Sequence, residues 1–312
     1  MLEVVRYTKE KKQEWDEFVS QSKNGLFLFK RDFMEYHSDR FEDYSLMVYK
    51  QSKLVAILPA NIVDNQIFSH QGLTFGGIII KYKTTSNEYL KIGNFLNSYL
   101  VSKGVKAVTI KCIPEIYKTH FGGEEEYFLF KMNANKTSSY LSSVLDLTKP
   151  FFKSKGRKSC LSKAIKNNVE VSFSDDLTSF WNILEDNLSI KYDCKPVHSL
   201  SEIKTLKNRF PDNIKLILAK KDETVIAGIL LFYFNNILKI QYVSSTDNGN
   251  QIGGVDAIYN SIINSKNIID KIDMGHSNES DGLTLNHNLL KQKNSFGARG
   301  VINNVYKYSL VM

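Results

Sequence analysis

One order of elements occurs twice in this chain, and that repetition constrains the fold more than any single residue. Lys50-Gln51-Ser52-Lys53-Leu54-Val55-Ala56 reads as a tight turn between two β-prone stretches, 44–49 and 54–62. Lys221-Asp222-Glu223-Thr224-Val225-Ile226-Ala227 repeats it between 216–220 and 225–234. After each hairpin come a further strand (66–69, then 237–244), a glycine-bearing loop (70–77, then 247–254), a helix (87–102, then 255–265) and a buried strand (107–112, then 268–274). Two copies of one supersecondary unit imply an internal duplication. A length of 312 residues also fits two domains. The boundaries expected are 1–148 and 149–312.

Each copy is preceded by helical sequence. Residues 8–22 carry Trp15, Phe18 and Val19 at helical spacing, 27–29 reads as a short apolar strand, and 32–37 as a helix with Phe33, Met34 and Tyr36 inward. Before the second copy come a strand at 169–173, a helix at 177–190 with Trp181 and Leu184 inward, and a helix after Ser199. There Glu202 takes the capping-box position and Phe210-Pro211 closes the helix. Between the copies, 149–169 carries Lys149, Lys153, Lys155, Arg157, Lys158, Lys163 and Lys166 and no acidic residue. A helix from Phe151 onward spreads these charges around its cylinder. It is either a solvated linker or, in part, a basic face for phosphate.

Charge and composition bound the function. The net charge of +8 is compatible with an anionic partner or with a lysine-rich solvated surface. No apolar run reaches the length of a membrane span, and the N-terminus lacks the apolar core of a signal peptide. Three widely spaced cysteines, Cys112, Cys160 and Cys194, fit a reducing compartment, so a cytoplasmic location is expected. The six histidines are scattered without a zinc-type pair, and no metal is expected. No G-x-S-x-G elbow is present.

The region 237–279 is where chemistry concentrates. Gly249, Gly253 and Gly254 lie at a loop-to-helix junction, where unpaired N–H groups and the helix dipole favour an anion. The spacing is neither that of a P-loop nor that of the dinucleotide fingerprint. Gly275-His276-Ser277-Asn278-Glu279 forms a polar tip at the end of the last strand of the motif.

Helices, antiparallel strands, glycine loop, helix and strand, taken in that order, resemble the GNAT acyltransferase fold, and two such units in tandem resemble its FemAB-like subset. The residues that carry this are Trp15-Asp16-x-Phe18-Val19, Phe33-Met34-x-Tyr36-His37, Leu58-Pro59-Ala60 and the run from Ser69 to Gly77. Pro196-Val197-His198-Ser199, Gly275-x-Ser277-Asn278-Glu279, Leu285-Asn286, Lys291, Lys293 and Phe296-Gly297 complete the set. Asn278 stands where the family pattern usually has Thr, and no heptad run corresponds to the coiled-coil arm of the tRNA-dependent Fem enzymes. The resemblance implies an α+β chain of two tandem GNAT-like domains, each a mixed, mostly antiparallel sheet flanked by helices. In that family the glycine loop follows Q/R-x-x-G-x-G/A and holds the pyrophosphate of acyl-CoA. Gln251-Ile252-Gly253-Gly254 is a fragment of it. By that resemblance Gly249, Gln251, Gly253 and Gly254 are cofactor-binding candidates. No cofactor is bound permanently; acyl-CoA or aminoacyl-tRNA is the co-substrate, and tRNA a possible partner.

Acyl transfer to an amine needs a base for the amine proton, donors for the oxyanion and a held leaving group. Glu279 and His198 are the candidate bases, and Tyr192 or Tyr242 the candidate proton donor. The plain alternatives are a solvated loop acid, a loop or cap histidine and core tyrosines. Arg157, Lys158 and Lys163 are candidates for a phosphate-bearing acceptor such as a nucleotide-linked sugar. Gln241, Asn286 and Lys293 are candidates for positioning it, and Ser277 joins them through the family pattern. The expected function is transfer of an acyl or aminoacyl group to an amine of an amino sugar or cell-wall precursor, without a covalent enzyme intermediate. A nucleic-acid-binding module and a non-catalytic GNAT-like scaffold are the alternatives.

Overall fold

The computed structural model describes residues 1–265, 269–279 and 282–310, with Tyr192 described by its backbone alone. The chain forms two compact units. The first comprises 1–140, 281–283 and 302–312, and the second 141–280 and 284–301. The sequence division at 148/149 thus compares with a change of unit at Tyr140/Leu141, and the chain returns to the first unit at its end.

In the first unit, β1 (Leu2–Arg6), β2 (Leu46–Lys50), β3 (Lys53–Leu58) and β6 (Ile79–Ile80) form an antiparallel sheet. β4 (Asn61–Val63) pairs with β5 (Gln66–Phe68), and β5 pairs in parallel with β7 (Ala107–Lys111). β7 also pairs with residues 305–309 of the C-terminal strand. The helices are α1 (Lys12–Ser20), α2 (Arg31–Met34), α3 (Ser86–Ser102) and α4 (Glu124–Lys131). Trp15, Phe18 and Val19 are the buried face of α1, as their spacing predicts. Residues 27–29 form a 3-10 turn instead of the expected strand. All three side chains are buried, and the Trp15 indole donates to the Phe29 carbonyl at 2.7 Å, so a side chain takes the place of a partner strand.

The second unit contains β8 (Asn135–Asp146, through residues 141–146), α5 (Lys155–Lys166), β9 (Glu170–Ser174), α6 (Leu177–Tyr192) and α7 (Leu200–Arg209). β10 (Ile214–Lys221), β11 (Thr224–Phe234), β12 (Ile237–Ser245), α8 (Asp247–Ile252), α9 (Gly254–Ile263) and β13 (Lys271–His276) follow. The unit closes with α10 (His287–Ser295) and the start of β14 (Arg299–Ser309). β9 to β12 are antiparallel, β13 lies parallel to β12, and β8 runs antiparallel to β13. Ile258, Tyr259 and Ile262 of α9 cover one face with Leu238, Ile240, Ile229 and Leu231. Trp181 and Leu184 of α6 are buried as predicted, and Phe180 is buried with them; Trp181 packs against Tyr242. Ser199 and Glu202 form the expected capping box.

The duplication is visible in backbone detail. Gln51-Ser52 and Asp222-Glu223 both turn with two left-handed residues, 171 positions apart. At that offset each hairpin has a register shift, between Val48/Tyr49 and between Ala219/Lys220. Left-handed Asp64 and Asn235 stand 171 apart at the next turn. Three parallel pairs then follow in each copy: Gln66–Phe68 against Ala107–Thr109, and Ile237–Lys239 against Lys271–Asp273.

Candidate active site

Beyond those three pairs the two copies differ. In the first unit the chain stitches its own fork shut. The Ser69 N–H donates to Thr109 O at 2.9 Å, the Lys111 N–H to Ser69 Oγ at 2.9 Å, and the Gly76 N–H to Lys111 O at 2.7 Å. Lys111 Nζ adds bonds to the carbonyls of Gln71 (2.9 Å) and Leu73 (3.0 Å). Behind it Glu125 is buried and accepts the Ile78 N–H, and desolvation pushes its carboxyl up to about 7. The sequence offered no signal for Glu125, one of three consecutive glutamates.

In the second unit, β12 runs on to Ser245 and β13 to His276, but their pairing ends at Lys239/Asp273. A bulge accompanies the parting. Leu230 opposes Tyr242 and Leu231 opposes Ile240, which leaves Gln241 as the extra residue. Strict alternation puts 238, 240 and 242 on one face. The bulge reverses this: Leu238 and Ile240 pack with α9, whereas Tyr242 meets Trp181 of α6 at 5.4 Å between ring centroids.

Several expected site residues gather here. Lys239 Nζ donates to Gln241 Oε1 at 3.2 Å, and Asp273, 1% exposed, accepts the Gly275 N–H at 2.8 Å. Lys293, projecting from α10, donates to the carbonyls of Gly275 (2.9 Å) and His276 (2.7 Å). Desolvation lowers its ammonium to about 8, with Asp273 opposing and Lys239 reinforcing the shift. Burial also lowers Lys239, against the pull of Asp273. Ser277 is buried; its N–H donates to Leu141 O at 3.1 Å, its carbonyl accepts the Asn286 N–H at 2.8 Å, and its hydroxyl has no partner among the described residues. The Asn286 side chain caps α10 through the Leu289 N–H at 3.0 Å. Glu279 is exposed, held by its N–H to Thr284 O at 2.9 Å.

His198 is buried beside Tyr242: the phenol oxygen lies 2.7 Å from Nδ1 and 3.3 Å from the His198 N–H. The N–H donates into the phenol oxygen, and we assign the phenol proton to the bond with Nδ1. Burial raises the Tyr242 phenol, so its proton is retained at neutral pH. Tyr192 ends α6, and its side chain lies outside the described residues.

The glycine segment departs from expectation. Residues 247–252 are helical rather than a loop, and a left-handed Gly253 (φ 83°) joins α8 to α9. The Gly249 N–H is spent on Thr246 Oγ1 at 3.0 Å, and a Cβ at Gly249 meets Ile226 O at 2.2 Å. A Cβ at Gly253 meets Cys160 O of α5 at 2.2 Å, and Gly254 abuts Ala227. Gln251 is exposed on α8. The glycines thus admit close neighbours, and the first turn of α9 holds a buried carboxylate, Asp256. A pyrophosphate does not fit a junction filled by α5 and this carboxylate.

Arg157 faces inward. Its Nη1 pairs with Asp256 Oδ2 at 2.9 Å, its Nε bonds Ser295 Oγ at 3.0 Å, and its guanidinium covers the Phe296 ring. The lysines of α5 are not spread around the helix as expected. Lys155, Lys158, Lys163 and Lys166 are exposed, with Ser159 and Ser162 among them, whereas Ala164 is buried and Cys160 and Leu161 are half-buried. At 3.6 residues per turn the four lysines fall within an arc of about 140°.

No family model and no curated protein matches the sequence. Solved structures do match. FemX aligns over 98% of this chain and 97% of its own, with a TM-score of 0.70 at 11% identity. L-PGS from Bacillus licheniformis covers 98% and 93% with a TM-score of 0.57 at 12% identity. A tandem GNAT protein from the clavulanic acid biosynthesis pathway covers 100% and 99% with a TM-score of 0.56 at 10% identity. Among the described residues no helix is long and apolar enough to cross a membrane, and no group of His, Cys, Asp and Glu is arranged to hold a metal ion. The chain has the α+β fold of the FemAB-like, tandem GNAT structures.

Proposed function

We propose that this protein transfers an acyl or aminoacyl group to an amine, on an amino-sugar or cell-wall-type precursor, at the strand fork of its second unit. One observation carries the reading. Of two duplicated forks, the first is sealed by its own backbone, whereas the second parts at Lys239/Asp273 and is lined by polar groups. The likeness to FemX, to L-PGS and to the tandem GNAT protein supports group transfer on this fold. Because the glycine junction does not fit a pyrophosphate, an aminoacyl ester is the favoured donor, with acyl-CoA as the alternative.

The step is a direct displacement. The acceptor nitrogen bonds to the donor carbonyl carbon, and the carbon–oxygen bond of the ester breaks. The Lys293 ammonium stabilises the charge that gathers on the carbonyl oxygen, and the Ser277 hydroxyl, which has no partner among the described residues, supplies a second donor. Glu279 takes the amine proton, and the retained Tyr242 proton passes to the leaving oxygen, with His198 orienting the phenol. Gln241 and Asn286 position the acceptor.

Labelled aminoacyl-tRNA and labelled acetyl-CoA, each incubated with UDP-linked amino-sugar peptides, test this. Label in the acceptor, lost in Lys293→Met and Tyr242→Phe, is expected. Transfer from neither donor, together with no thermal shift on adding either donor or acceptor, leaves a non-catalytic scaffold.

A further inference from the structure

We propose that the exposed face of α5 is a docking surface for an anionic lipid bilayer. The inference is independent of the transfer chemistry. Lys155, Lys158, Lys163 and Lys166 share one exposed face, and among the described residues none makes an ion pair or side-chain hydrogen bond. The nearest lysine in the segment with a carboxylate influence is Lys153, which senses the buried Asp256, and Arg157 turns inward to that same carboxylate. Asp256 is thus engaged by Arg157 and not by the lysine stripe. From Lys155 to Lys166 it runs about 16 Å.

Charge alone fits any polyanion. Two exposed apolar side chains flank the stripe, and the aliphatic one, Ile165, favours the bilayer. Phe152, 81% exposed, lies two residues before the Ser154 cap of α5, and Ile165, 67% exposed, borders the stripe near its other end. Water-facing Phe and Ile beside unpaired lysines match an interfacial helix: cations contact lipid headgroups while apolar groups enter the acyl boundary. A nucleic acid gives an isolated aliphatic residue no comparable partner. The helix is anchored for this role, since its other face packs on α8 and α9 through Ala164, Leu161 and Cys160.

Co-sedimentation of the full chain with phosphatidylcholine vesicles, with and without phosphatidylglycerol, tests the proposal. Binding is expected only to the anionic vesicles and weakens as salt is raised. Each Lys→Gln change lowers the partition coefficient about five-fold, and the quadruple variant roughly 600-fold. Phe152→Ser with Ile165→Ser reduces binding while leaving its salt dependence in place. These positions are exposed, so an unchanged unfolding midpoint is the control for folding. Failure to bind anionic vesicles at low salt, or equal binding by the quadruple variant, overturns the proposal. So does lysine-dependent binding to duplex RNA without binding to vesicles, which assigns the stripe to nucleic acid.

Discussion

Replacing Arg157 by Met tests whether this arginine serves the fold or a substrate. Asp256 is 6% exposed, its Oδ2 rests on Arg157, and its Oδ1 has no partner among the described residues. Methionine keeps the aliphatic contact with Phe296 but strands the carboxylate, and breaking one side of a buried pair costs about 3–5 kcal/mol. The pH dependence has a definite sign. Desolvation already raises the Asp256 pKa, with Arg157 opposing, so losing Arg157 raises it further. An acid whose pKa is raised on folding binds its proton more tightly in the native state, so stability returns as pH falls through that value towards the unfolded one. The recovery is about 1.4 kcal/mol per pH unit while the proton is taken up. The two tryptophans make the assay local: Trp15 is in the first unit and Trp181 in the second. In a Trp15→Phe background, Trp181 fluorescence during urea unfolding reads the second unit. Arg157→Met is expected to lose about 3 kcal/mol at neutral pH relative to its parent, to recover part of it in mild acid, and to be rescued by Asp256→Asn. A loss below about 1 kcal/mol, or one indifferent to pH and to Asp256→Asn, refutes the structural role and returns Arg157 to the substrate.

Gly253→Ala places a Cβ against the Cys160 carbonyl in a left-handed residue and should cost about 2 kcal/mol or more in the same fluorescence assay; a neutral result excludes the close approach of α5. Tyr242→Phe removes the hydroxyl shared by the His198 N–H and Nδ1 and should cost about 1–2 kcal/mol, unless the pair is not formed in solution. Glu125, raised to about 7, makes the first unit lose up to about 3 kcal/mol as pH rises from the ordinary carboxylate range through 7. Followed by Trp15 in a Trp181→Phe background, Glu125→Gln should flatten that slope, and an unaltered slope puts its origin elsewhere. Lys293, lowered to about 8, should lose its proton near that pH, which NMR of reductively 13C-methylated protein resolves against Lys293→Arg. If transfer needs the ammonium, the rate falls over the same range, and a rate still rising past it removes Lys293 from the charged role.

How much of this was legible in the sequence follows from how local each signal is. The repeated hairpin, the buried face of α1 and the capping box at Ser199/Glu202 depend on residues a few positions apart, and all are present. The polar tip after β13 was also readable, because Gly275 to Glu279 is contiguous. What escaped depends on distant neighbours. Gly249 and Gly253 look like a ligand loop until Ile226 and Cys160 are seen to press on them. Arg157 looks like a phosphate ligand until Asp256 arrives from 99 positions along the chain. The bulge at Gln241 adds one residue without disturbing the β-prone composition, so periodicity cannot show that Tyr242 leaves the face of Ile240.

The duplicated fork explains why the two halves can differ so much in chemistry. A parallel strand pair that stops after three residues leaves backbone N–H and C=O groups unpaired on both strands, and buried groups of that kind must find partners. The first copy solves this with its own chain: after Phe68 it turns through a left-handed His70, and Ser69 and Gly76 bond back to β7. That solution closes the space between the strands. In the second copy β12 continues against β11, and side chains do the work instead. Asp273 takes the Gly275 N–H, and Lys293 takes the carbonyls of Gly275 and His276. Side chains can exchange a partner for a ligand, whereas a backbone seal cannot without local unfolding. The second fork is therefore the one in which a bound carbonyl can replace a protein carbonyl on Lys293, at a cost of one hydrogen bond exchanged for another.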